Sequence, residues 1–289
     1  MVLSPWLTTA RAVAADTARR ARRQDLMLIA AGLTFYAGIA IVPLLLLGLY
    51  GAGLVLDPER VMTLVDRLAQ YAPAAGAARF LRALGDAGPN LGPPALLASV
   101  VTDSTYGEGL LRAVDTLEGA QRPQRTLMGR LRVLPYLGVF PVVTLLGLIA
   151  VLVLPDRLGE GVSGRALGIY LTFWVGWLSA TALLMVLYRL FAARTLRWAA
   201  IAWGSLAAGS FLTGMSLGWV LVLRFGLTIG RAFGGSELIG HIVLFTVYLL
   251  FVQVVLLLGY LLARSINDLG APDVPPPPQS VDSGARVPG

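Results

Sequence analysis

The 289-residue chain has a mean hydropathy of +0.74, is 56% apolar and carries only 13% charged residues, a balance that excludes an ordinary soluble domain. Its formal charge of +7 rests on 23 basic residues, all arginine. They stand between apolar blocks rather than in one patch, which argues against nucleic acid as a partner, and the absence of cysteine excludes disulfide and thiolate chemistry.

Residues 1–25 form an Arg-rich lead-in, with Arg11, Arg19, Arg20, Arg22 and Arg23 ahead of the first long apolar run. Because Asp25 is reached before that run begins, the segment does not read as a cleavable signal peptide. The apolar blocks that follow have the length an α-helix needs to cross about 30 Å of hydrocarbon, far longer than barrel strands. The expected fold is therefore an all-α, polytopic membrane domain over residues 26–265.

Its spans are expected at about 26–50, 91–107, 133–154, 167–188, 199–223 and 239–262, six in all. The second is the least apolar, with only Ala95 to Val101 uninterrupted. Six spans with both termini inside place most arginines on the cytoplasmic side, as the positive-inside rule requires. Between the first two spans, Asp57-Pro58-Glu59 supplies a helix start, with Asp57 as the N-cap. Val61, Leu64, Val65 and Leu68, then Ala77, Phe80, Leu81 and Leu84, repeat at helical spacing and predict two short amphipathic helices. Residues 266–289, rich in proline, read as a disordered cytoplasmic tail.

Polar residues inside the spans are the candidate substrate path: Tyr36, Pro43, Asp103, Thr246, Gln253 and Tyr260. Gly32, Tyr36 and Pro43 share one face of the first span, where Gly32 would admit a close neighbour and Pro43 removes a backbone donor and kinks the helix. Thr246, Gln253 and Tyr260 recur every seven residues, a polar stripe that should face a neighbour or a cavity rather than lipid. Asp103 is expected at the cytoplasmic end of the second span with Arg112 or Arg189 as its partner, or as an exposed acid or cap if that span is absent. His241 stands four residues after Glu237, close enough on a helix to pair with it. Small residues in the fifth span, Gly204, Gly209, Gly214 and Gly218 among them, predict a closely packed central helix.

No phosphate loop, dinucleotide fingerprint, zinc-protease motif or nucleophile elbow occurs, so no metal or cofactor is expected and an enzymatic role lacks a reactive group. Arg189, Arg194 and Arg197 form a basic cluster suited either to cytoplasmic anchoring or to an anionic head group.

Three stretches resemble the YihY/BrkB family of bacterial inner-membrane proteins. They are AAGLTFYAGIAIVPLLLLGL from Ala30, LLRAVDTLEG from Leu110, and the final two spans, with Tyr188-Arg189, Gly235-Ser236 and Gly259. This chain departs at Phe191-Ala192, where the family usually has a proline, and at Gly259-Tyr260-Leu261, where it usually has Gly-Ala-Glu. The ribonuclease label once attached to the family finds no acid or histidine cluster here. The resemblance implies the bacterial inner membrane, a short cytoplasmic helix at Leu110, and passive or partner-driven movement of a lipid-like or amphipathic envelope molecule. Membrane lipids, a membrane-protein partner or a second copy are the expected contacts. A scaffold for an envelope-building complex is the competing expectation.

Overall fold

The computed structural model describes residues 5–70, 75–119, 130–140, 143, 162–192, 195–224 and 235–270. The described residues form α1 (Pro5–Arg23), α2 (Leu26–Gly53), α3 (Pro58–Ala69), α4 (Ala75–Ala87), a 3-10 turn (Gly88–Asn90) and α5 (Pro93–Glu118). Helix α6 is described over 130–140; α7 (Val162–Phe191), α8 (Trp198–Arg224) and α9 (Glu237–Leu269) complete the bundle. The Pro-rich tail beyond residue 270 and most of the expected 133–154 span lie outside the described residues.

Four of these helices, at Leu26–Gly53, Tyr170–Phe191, Trp198–Trp219 and Ile239–Leu269, are long and apolar enough to cross a bilayer. Their outward side chains stay apolar: Phe35, Trp203 and Phe211 are each more than 60% exposed. An exposed apolar belt of this kind is a liability in water and the natural surface in lipid. Helix α2 continues through Pro43 without interruption, an internal proline being tolerated in membrane helices.

Helix α5 corrects the expected second span. It runs for 26 residues, not from 91 to 107, and so extends about 39 Å. The stretch at Leu110 is its second half rather than a separate helix. Ser99, Asp103, Ser104 and Glu108 are buried, so its polar groups face inward and lower its hydropathy without meeting lipid. Asp103 therefore sits in the middle of a helix, neither at its end nor exposed.

Close packing comes from small residues, though not all of those expected. Gly32 has open space where a side chain would stand; the tight contact with α2 is made by Gly109 of α5, where a Cβ would lie 2.6 Å from the Tyr36 ring. Between α8 and α9, a Cβ on Gly204 would meet the Gly259 carbonyl at 2.6 Å, and one on Gly209 would meet Thr181 of α7 at the same distance. Gly214 and Gly218 have open space instead. Cross-helix hydrogen bonds set the register: Tyr188 donates to the Leu256 carbonyl at 2.7 Å, and Trp177 to that of Leu206 at 3.0 Å. The rings of Tyr188 and Tyr260 pack edge to face, 5.8 Å apart, in the buried centre.

The two ends of the bundle differ in chemistry. At one, the two short amphipathic helices form as α3 and α4 and pack together, linked by Arg82 and Asp66 at 2.7 Å, and the 3-10 turn sets Gly88 against Leu49 of α2. Pro58 opens α3, but the Asp57 side chain caps nothing and lies 3.6 Å from Arg60. At the other end, an ionic chain joins α1, α5 and α9. Arg20 reaches Asp16 at 2.7 Å and Asp268 at 3.1 Å; Arg264 reaches Asp268 at 3.1 Å and Glu118 at 3.8 Å. Burial pushes the Asp16 carboxyl up, but hydrogen bonds from Arg20 and Ser265 and the charges of Arg20 and Arg19 hold it below its ordinary value.

Candidate functional site

A partly open apolar cavity of about 350 Å³ is bordered by α2, α5, α6, α7, α8 and α9. Ala40, Leu137, Leu184, Leu212 and Leu256 line it from α2, α6, α7, α8 and α9, and Asp103 and Tyr106 from α5. The volume equals that of roughly a dozen liquid waters, yet the lining offers them few polar partners. It is shaped for hydrocarbon.

Four side chains with polar groups interrupt the lining: Asp103 and Tyr106 of α5, Tyr136 of α6 and Gln253 of α9. Asp103 and Tyr106, three residues apart, stand on one face of the helix. The Tyr106 hydroxyl donates to Gln253 Oε1 at 3.0 Å, so these two satisfy each other. Asp103 is 1% exposed, and neither of its carboxyl oxygens has a hydrogen-bond partner among the described residues. Tyr136 of α6 also borders the space, its ring 5.5 Å from that of Phe140.

The partners expected for Asp103 are committed elsewhere. Arg112 is bound to Glu108, one helical turn before it, and Arg130 adds a second contact to Glu108 at 3.2 Å, tying α5 to α6. Arg189 lies over the Trp198 ring at 4.9 Å and reaches the Leu196 carbonyl at 3.5 Å. Arg197 closes the end of α9, donating to the Gly270 carbonyl at 2.7 Å, while its backbone N–H donates to Asn267 at 3.0 Å. Arg194 lies outside the described residues, as does the side chain of Glu237.

Of the six residues expected along a path, the structure brings Asp103 and Gln253 to the cavity and places the others apart. Tyr36 borders a smaller hollow of about 200 Å³ with Gly109 and Arg112, and Pro43 lines neither space. Thr246 is exposed and returns its hydroxyl to its own helix, at the Ile242 carbonyl. Tyr260 is buried and donates to Glu118, joining the ionic end instead of the cavity. The polar stripe on α9 is thus shared among lipid-side surface, cavity and ionic cluster. Tyr106 and Tyr136 were missed by the sequence reading; the three-residue spacing of Tyr106 from Asp103 was the available signal.

Among the described residues, no three His, Cys, Asp or Glu side chains gather as a metal site. The apolar spans and inward-facing polar groups define a polytopic helical membrane protein with an amphipathic interior cavity. Within that class the chain belongs to the BrkB/YihY family: the family model described as "Virulence factor BrkB" matches residues 17–282. No curated protein and no solved structure matches it.

Proposed function

We propose that the protein is a translocator, passive or driven by a partner, for a lipid-like or amphipathic envelope molecule in the bacterial inner membrane. The observation that carries this reading is the apolar cavity bearing Asp103, Tyr106 and Gln253. An apolar space with a small set of polar groups suits a molecule that has both a hydrocarbon body and a polar head. A hydrated ion would find too few ligands along these walls.

The orientation proposed has both termini in the cytoplasm. Its support is the gathering of α1, Arg197 and Arg264 at one end of the bundle, since cytoplasmic ends of membrane helices carry the excess of arginine. Membrane lipids are then the immediate surroundings, and a second membrane protein or second copy is the source of any driving force. No catalytic step is part of the proposal.

The test uses purified protein in vesicles with a chain-labelled fluorescent phospholipid in both leaflets and a bleaching agent outside. Translocation carries bleaching past the outer half, and Gln253→Leu, which breaks the Tyr106 contact inside the cavity, slows it. Bleaching that stops at the outer half with folded wild-type protein, for lipids of several head groups, refutes passive translocation and leaves the scaffold role or a missing energising partner.

A further inference from the structure

We infer that Asp103 is the receptor for an ammonium head group, so that the cavity takes amphiphiles whose polar end is a protonated amine. The inference rests on the translocator reading for its biological setting, but the binding chemistry stands on geometry alone. Asp103 lines a mostly apolar space, and its two acceptor oxygens are both buried and have no donor among the described residues. A buried carboxylate left unpaired is costly, whereas a charge-assisted hydrogen bond to a cation is among the strongest a site can make.

The donor must arrive with the ligand. The Tyr106 hydroxyl donates to Gln253, neither it nor Tyr136 reaches the Asp103 oxygens, and Arg112 and Arg130 are held by Glu108. An ammonium carries three N–H donors and can serve both oxygens at once; a hydroxyl has one. A divalent metal ion fits poorly, because a single carboxylate falls short of the six to eight oxygen ligands that calcium takes or the octahedron that magnesium demands. A carboxylate or unmodified phosphate head would meet repulsion instead of a partner. The apolar walls then accept the alkyl chain that follows the head, which a small free ammonium ion lacks. The same chemistry is offered by a single-chain alkylamine and by an aminophospholipid.

The deciding experiment measures thermal stabilisation of detergent-purified protein by dodecylamine, dodecanol and ammonium chloride. Dodecylamine is expected to raise the melting temperature saturably and to bind at least about tenfold more weakly to Asp103→Asn, the loss of one charge-assisted contact. Asp103→Glu, which keeps the acid, retains the response, and dodecanol does not distinguish the three proteins. Equal responses to dodecylamine and dodecanol in the wild type, equal dodecylamine binding to Asp103→Asn, or an equal effect of ammonium chloride would each overturn the inference. A second arm compares bleaching of chain-labelled phosphatidylethanolamine and phosphatidylglycerol with identical tails. Faster movement of the amine lipid, abolished as a preference by Asp103→Asn, extends the site to phospholipids. Movement of both lipids at one rate keeps translocation and refutes amine selection in it. If neither lipid moves while dodecylamine still binds through Asp103, the head-group site stands and the translocator reading fails.

Discussion

Three of the four acids on α5 meet different fates. Glu108 is buried between Arg112 and Arg130, and Glu118 accepts from Tyr260 beside Arg264, while Asp103 lines the cavity with no donor among the described residues. The first two hold helices together, α5 to α6 and α5 to α9. The third leaves its helix less stable than an apolar residue would. Buried acids with cationic partners tie an assembly, and Asp103 is where the proposed ligand would bind.

The comparison breaks most visibly where a partner is removed. Arg264→Met leaves the Glu118 side chain buried beside Tyr260 without its cation, and the expected loss is about 3 kcal/mol, read as a lower melting temperature in detergent. Gly109→Ala drives a methyl against the Tyr36 ring and should cost about 1–3 kcal/mol. Combining it with Tyr36→Ala should return part of that loss, which a double-mutant cycle measures.

At Asp103 the sign reverses. Asp103→Leu is expected to stabilise the empty protein by about 1–2 kcal/mol, because it removes an unsatisfied buried polar group. A melting temperature that falls instead would show that the carboxyl has a native partner and would erase the contrast. Thr246→Val, on the exposed face with its hydroxyl turned back on its own helix, should change stability by less than about 0.5 kcal/mol.

The smallest effect belongs to Asp16 at the exposed edge of the ionic chain. Its folded carboxyl titrates below the ordinary value, so its contribution is full above the unfolded carboxylate range of about 4 and is lost as pH falls through the folded value. Asp16→Asn should therefore lower the melting temperature slightly at neutral pH, and the difference from wild type should vanish in acid. A difference that grew in acid would contradict the assigned direction.

Hydropathy made the four strongly apolar spans legible because lipid demands long apolar segments irrespective of what the interior does. Helix α5 is not among them, and its inward polar face lowers a window average that cannot tell inside from outside. The Arg112 partner was legible as well: Glu108 precedes it by four residues, the spacing of a helical ion pair, whereas Asp103 is nine away. Choosing Asp103 as its partner followed chemistry without geometry. The stripe of Thr246, Gln253 and Tyr260 was a true periodicity of α9, yet period alone does not reveal which neighbour each turn of the helix meets. Gly109 against Tyr36 and the cavity itself arise from the meeting of helices distant in sequence, which no local pattern encodes.

The most direct test of the central claim, that the cavity is the path, is to fill it. Ala180 lines the space on α7, and Ala180→Phe would occupy it from the wall without touching Asp103, Tyr106 or Gln253 by substitution. Thr246→Phe on the exposed face of α9 is the matched control. In the vesicle bleaching assay, with both proteins folded and inserted equally, Ala180→Phe should fall to the rate of protein-free vesicles while Thr246→Phe keeps the wild-type rate. Wild-type translocation in Ala180→Phe would contradict the account, since an amphiphile that moves with the cavity filled is not moving through it.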